Sequence, residues 1–261
     1  LRKPDIDPPT LVSATISTTD IDVSTGPEIV TFEFEFADSG TGVQSIFASL
    51  QNLNFEQRLS TNSFNSSVLT VPYIAGLTSD ATIRLGNVSA NDVANNGLFL
   101  NNNDLPNLAV NITGIPPVTG VQSGTFDDVQ GDFYGAPGAP SYQFTVNSDD
   151  TVAIARQATS GTNFATLRLL DAGGNEIAVS SFTGSDQFSS VGAALTAGSY
   201  IVTVGSCCGH SDTFDLDFYG DVSNIQLDTD SDGDPDVTDS DDDNDGFYDA
   251  FDNFPLIRGQ Q

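Results

Sequence analysis

Residues 228–255, DTDSDGDPDVTDSDDDNDGFYDAFDNFP, hold twelve aspartates between Asp228 and Asp252 and neither lysine nor arginine. Carboxylates about 6 Å apart repel by roughly 0.7 kcal/mol per pair even in bulk water. A stretch this dense in one charge opposes any compact fold unless something neutralises it. It is therefore either a solvated acidic tail, which is what blocks of like charge ordinarily are, or a segment built around cations.

Spacing separates the two. Asp228, Asp230, Asp232, Gly233, Asp236 and Asp239 fall in register with Asp241, Asp243, Asp245, Gly246, Asp249 and Asp252, at an offset of thirteen residues in all six positions. Acids then occupy loop positions 1, 3, 5, 9 and 12 with glycine at 6, the ligand order of an EF-hand calcium loop. Calcium takes about six to eight hard oxygen ligands, and alternate residues can aim carboxylates at one centre. Gly233 and Gly246 allow the sharp turn that a Cβ opposes. The position-7 backbone carbonyls, of Asp234 and Phe247, supply further ligands, and Asp239 and Asp252 close the loops. An unpatterned acidic tract has no reason to repeat six positions, so the expectation is two tandem calcium sites. Asp replaces the closing Glu of an EF-hand, and Pro235 and Pro255 interrupt the flanking helices. This pattern resembles the thrombospondin type 3 repeat, an aspartate-rich coil wrapped around calcium ions. The resemblance implies calcium and an extracellular setting, and no activity.

Elsewhere helix signals are nearly absent. Short runs of Val, Thr, Ile and Phe are broken every eight to twelve residues by Gly, Asn, Asp and Ser, the pattern of an all-β sandwich. In EIVTFEFEFA, residues 28–37, Val30, Phe32, Phe34 and Phe36 face one way and Thr31, Glu33 and Glu35 the other, so one side is core and one is wet. Pro8 and Pro9 mark residues 1–9 as an extended leading segment. Strands follow at LVSATIS, VQSIFASL, SSVLTVPYI, ATIRLGNVS and LAVNITG. GIPPVTG, residues 114–120, is short and stiff, and 115–120 reads as a linker. Beyond it, SYQFTVNSDDTVAIARQA reads as a hairpin turning at Asn147–Asp150, ATLRLLDAGGNEIAVSS as one turning at Gly173–Asn175, and LTAGSYIVTVGSCCGHSDTFDLDFYG as one turning at Ser206–Ser211.

Two further resemblances attach to these segments. The leading PPTL, the DSGTGV loop at Asp38–Val43 and GNVSANDVANNG make residues 10–114 similar to immunoglobulin-like modules of bacterial surface proteins, which serve as spacers or adhesive units. LTAGSYIVTVG makes residues 121–222 similar to the pre-peptidase C-terminal domain, a small β-sandwich found beside secreted proteases and in adhesins. That likeness implies a non-catalytic domain that binds or positions something. The expected order is thus two tandem β-sandwiches, then a thrombospondin type 3-like calcium-binding segment and tail over 223–261.

The formal charge of −29 and pI near 4.1 exclude nucleic acid and anionic membrane as partners, because both repel such a chain. No apolar run approaches the length of a transmembrane segment. The chain starts at Leu1 without a charged-then-apolar leader and contains no methionine, as expected if a signal peptide was removed or the chain was cut from a longer one.

Cys207 and Cys208 are the only cysteines and lie beside the only histidine, His210. The pair allows a strained vicinal disulfide, a cross-link between subunits, or with His210 a transition-metal site; the vicinal bond is the first expectation. Nucleophile elbows, zinc-protease motifs and phosphate loops are absent from the sequence. Acid pairs are too abundant here to signal a glycosidase dyad. Tyr73, Tyr134, Tyr142 and Tyr219 read as core or rim packing. Asp127, Asp128 and Asp132 read as a polar turn before a cation site. The sequence therefore points to a non-enzymatic, calcium-binding, extracellular or bacterial cell-surface protein of structural or adhesive kind, a subunit of a surface assembly or filament. Its partners would be further copies, neighbouring surface modules, or a protein or glycan ligand. The alternative is the substrate-binding accessory region of a secreted protease or polysaccharide hydrolase.

Overall fold

The computed structural model describes residues 5–52, 58–64, 66–75, 81–101, 104–105, 108–127, 140–161, 165–180, 188–206, 211–230, 234–253 and 255–256. The chain is all-β and divides into two compact units, residues 1–116 and 117–261.

The first unit contains β1 (Thr10–Ile16), β2 (Asp20–Asp22), β3 (Glu28–Ala37), β4 (Val43–Asn52), β5 (Arg58–Phe64), β6 (Val68–Ala75), β7 (Ala81–Asp92), β8 (Gly97–Asn101) and β9 (Ala109–Thr113). One sheet runs β1-β3-β6; the other runs β2-β9-β7-β4-β5, with β8 also paired to β7. The alternation in β3 sets the core: Val30, Phe32, Phe34 and Phe36 are buried while Glu33 and Glu35 are exposed. They pack with Ile46 and Ala48 of β4, Val88 and Ala90 of β7, and Val110 and Ile112 of β9, so the two sheets share one apolar layer. All six strands expected here are present; β2, β5 and β8 are additional. Residues 5–9 of the leading segment rest on this same unit. Pro9 is buried, and Asn96 Nδ2 donates to the Asp5 carbonyl at 3.3 Å.

The second unit contains β10 (Val118–Asp127), β11 (Ser141–Val146), β12 (Asp150–Gly161), β13 (Ala165–Asp171), β14 (Glu176–Val179), β15 (Phe188–Leu195), β16 (Gly198–Ser206), β17 (Ser211–Tyr219) and β18 (Val222–Asp228). Its sheets run β10-β17-β12-β15 and β14-β13-β16-β11-β18. Tyr142, Phe144, Leu167, Leu169, Val202 and Val204 from one sheet meet Val152, Ile154, Val191, Phe214, Leu216 and Phe218 from the other.

Two of the three expected hairpins are replaced by crossings between sheets. β11 pairs with β16 and β18, whereas β12 pairs with β15 and β17. Both strands carry inward apolar residues, and placing them in opposite sheets lets Phe144 and Ile154 enter one core. Asn147 N–H donates to Asp221 O at 2.9 Å, so the corner closes on the β17–β18 turn. β16 and β17 likewise lie in different sheets. The β13–β14 hairpin forms as expected around Asp171–Asn175, with Gly174 at φ +77. Two boundaries also move. Val118–Gly120, expected as linker, begin β10 against β17. Val222–Asp228, mostly assigned above to the acidic segment, form β18 on the edge of the β11 sheet.

Candidate metal centre

The acidic segment starts from a fixed point. Asp228 ends β18 opposite Ser141 and is 0% exposed. Ser141 Oγ donates to its carbonyl at 2.7 Å and Gln143 Nε2 to its Oδ2 at 2.8 Å, both from β11. Its Oδ1 is sealed from solvent and no donor among the described residues reaches it.

After Asp228 the thirteen-residue sequence repeat reappears as a hydrogen-bond repeat. Asp236 N–H donates to Leu227 O at 3.0 Å, and Asp249 N–H to Ser240 O at 3.0 Å. Thr229 N–H donates to Asp236 Oδ1 at 2.7 Å, and Asp242 N–H to Asp249 Oδ1 at 3.0 Å. Asp239 N–H donates to Pro235 O at 3.0 Å, and Asp252 N–H to Tyr248 O at 3.1 Å. Each pair of bonds is related by the same offset that relates the aspartates. Position 9 of each loop, Asp236 or Asp249, thus ties the loop to its own start. The two loops also touch, because Asn244 Nδ2 donates to Asp230 Oδ2.

The second loop converges. One carboxylate oxygen from each of Asp241, Asp243 and Asp245 lies within 4.8 Å of the other two. Backbone N–H groups orient them: Asp245 and Gly246 donate to Asp241 at 3.2 and 3.1 Å, Asp245 to Asp243 Oδ1 at 3.1 Å, and Phe247 to Asp245 Oδ1 at 3.0 Å. Gly246 sits at φ +95, a conformation a side chain disfavours, which is why glycine occupies position 6. Asp243 is 2% exposed, and no donor among the described residues reaches its Oδ2 or Asp245 Oδ2. Burial is the main cause that raises the Asp243 carboxyl above its ordinary range.

The other expected ligands are distributed differently. Asp234 accepts from Thr238 Oγ1 at 2.5 Å, and Asp239 accepts from the N–H groups of Ser240 and Asp241. Asp252 follows a 3₁₀ turn, Asp249–Phe251, and Phe247 is exposed. Asp232, Gly233, Cys207, Cys208, His210, Asp128 and Asp132 lie outside the described residues. Asp127 ends β10 opposite Ser211. Tyr142 and Tyr219 are buried in the second unit, in keeping with packing roles.

Asp242 was not among the expected ligands. Its Oδ1 is buried and no donor among the described residues reaches it, and burial, then Asp236, Asp249 and Asp239, pushes its carboxyl up to about 7. The signal was present in the repeat: Asp242 occupies the position of Thr229, where a hydroxyl is exchanged for a charge. An array of carboxylates alone, with oxygen donors held by backbone N–H groups, suits a hard cation such as calcium. It offers no nucleophile–base pair.

No protein-family model matches the chain, and no curated protein matches it. Among solved structures the chain is similar to the Bacteroides ovatus mixed-linkage glucan utilization locus protein SGBP-B in complex with a mixed-linkage heptasaccharide. The identity is 13%, over 76% of this chain and 50% of that one, with a TM-score of 0.22. It is also similar to the structure of infectious bursal disease virus, Gx strain, at 11% identity over 84% of this chain and 74% of that one, with a TM-score of 0.17. The chain spans half the length of the first. At these TM-scores nothing about either protein's activity carries over. Among the described residues no helix is long and apolar enough to cross a membrane.

Proposed function

We propose that this is a non-catalytic, calcium-binding extracellular protein of structural or adhesive kind, in which calcium orders the C-terminal coil on the second sandwich. The observation that carries the reading is the set of buried carboxylate oxygens at Asp228, Asp243 and Asp245 that no donor among the described residues reaches, two of them in a three-carboxylate cluster. Buried charge is stable when paired or bound to metal. The coil offers almost no apolar burial, so coordination energy acts as folding energy. Calorimetric titration of the full chain tests this. Calcium binding at about 10⁻⁴–10⁻³ M, the range of extracellular modules, is the expected result. Absence of binding, or binding unchanged by joint Asp243→Asn and Asp245→Asn substitution, overturns it.

Service as an assembly subunit draws support from the sheet ends. β1, β6 and β15 are outer strands and carry no charged side chain, and the chain's single lysine, Lys3, precedes β1 in the sequence. Charged residues, lysine above all, are the usual means of keeping such edges from pairing with another chain.

The accessory-region reading would rest on a cleft of about 450 Å³ in the second unit, lined by Tyr142, Thr159, Thr213, Phe214, Asp215 and Thr229 among others. Its polar groups already bond to protein. Ser123 Oγ donates to Asp215 at 2.6 Å, Thr213 and Thr159 hydroxyls are 2.7 Å apart, and Thr229 Oγ1 donates to Asp236 at 2.9 Å. A sugar would have to displace these bonds, which favours the structural reading.

A further inference from the structure

Three aspartates far apart in sequence meet in the first unit. Asp5 belongs to the leading segment, Asp38 follows β3, and Asp92 ends β7; one carboxylate oxygen of each lies within 4.8 Å of the other two. Asp92 is 0% exposed, and its partners are the N–H of Asn96 on Oδ1 and Asn96 Nδ2 on Oδ2, both at 2.7 Å. Asp38 Oδ2 accepts from the N–H groups of Gly40 and Gly42 at 3.0 and 2.6 Å. Asp38 Oδ1 is sealed from solvent, and no donor among the described residues reaches it. Asp5 Oδ2 accepts from Thr41 N–H at 2.6 Å and Thr41 Oγ1 at 2.8 Å, and Asp7 N–H reaches its Oδ1 at 3.4 Å.

Every one of these partners is neutral. A wholly buried carboxylate, a second with a buried oxygen that no donor among the described residues reaches, and a third within 4.8 Å make a site of three acidic groups whose hydrogen-bond partners named above carry no counter-charge. Hydrogen bonds of this kind fix the direction of the carboxylate oxygens, but they do not cancel mutual repulsion. Buried charges are otherwise paired or bound to metal. Of residues 5–9 only Pro9 is buried, and Ile6 is 64% exposed.

We propose that Asp5, Asp38 and Asp92 form a second divalent-cation site, of the hard oxygen-ligand class that calcium fills, and that the cation fastens the leading segment to the first sandwich. The site is separate from the coil and does not depend on it. The aspartate repeat does not announce it: the fold brings its three residues together, two of them, Asp38 and Asp92, from the DSGTGV and GNVSANDVANNG segments.

Hydrogen exchange of the full chain tests the site, read on peptides covering residues 5–10, 38–42 and 92–96, with ~5 mM calcium or with sodium at equal ionic strength. Calcium, unlike sodium, should slow exchange there at least tenfold. The slowing should persist in a chain carrying Asp243→Asn and Asp245→Asn and disappear in Asp38→Asn. Asp5→Asn, which leaves the sandwich core untouched, should remove it as well. Exchange in these peptides that ignores calcium, or a response that vanishes with the coil substitutions, overturns the proposal. Peptides covering 234–252 report the coil separately, so the two readings fail independently.

Discussion

Asp242 and Asp243 are sequence neighbours, and each has a buried carboxylate oxygen that no donor among the described residues reaches. Asp243 is buried with one oxygen bound by a backbone N–H and the other by nothing among the described residues. Asparagine at 243 and 245 keeps the size and removes the charge, so calcium affinity should fall at least tenfold, about 1.4 kcal/mol, as read by calorimetry. Asp242 gives a pH dependence. Burial first, and then neighbouring carboxylates, raise its carboxyl from an ordinary 3.8 to about 7. Its support of the ordered, cation-free coil is therefore complete below about 3.8 and is lost as pH climbs through about 7. In chelator, backbone order over residues 234–252, followed by heteronuclear NMR relaxation, should decline between pH 5 and pH 7.5. Calcium should restore it at the higher pH and release protons as it binds. An order that rises with pH in chelator would contradict this cause. The aspartate repeat was legible at this scale because six positions recur at one offset; Asp242 was not, because it breaks the repeat it belongs to.

At the scale of elements, the sequence was most informative where one strand decides its own faces. The alternation of EIVTFEFEFA matches β3, with its phenylalanines buried and its glutamates exposed. Partner choice was less legible. SYQFTV and DTVAIARQATSG alternate equally well whether they pair or cross, and only the shared core places them in opposite sheets. VSNIQLD was hidden by the acids that follow it, yet pairing with β11 makes it a strand and makes Asp228 the hinge between sheet and coil. Chelation should therefore divide the segment. Amides of residues 234–252 should lose protection from exchange, while those of β18 within its ladder to β11 keep it. Loss of both together would show that the coil is not a separate element resting on a preformed edge.

For the whole molecule, charge and edges pull in opposite directions. A formal charge of −29 keeps copies apart, while uncharged outer strands invite pairing once that charge is screened. Sedimentation velocity should show larger species in calcium and smaller ones in chelator, and a monomer at all calcium concentrations would remove the assembly role. Within the leading segment, Asp5 and Pro9 are engaged by their own unit. The central claim concerns the cation itself, and anomalous diffraction from crystals of the full chain grown in ~5 mM calcium tests it most directly. The account predicts a peak about 2.3–2.6 Å from Asp243 Oδ2, shared with Asp241 and Asp245. Carboxylates at 241, 243 and 245 surrounded only by water, or neutralised by an arginine, would contradict it.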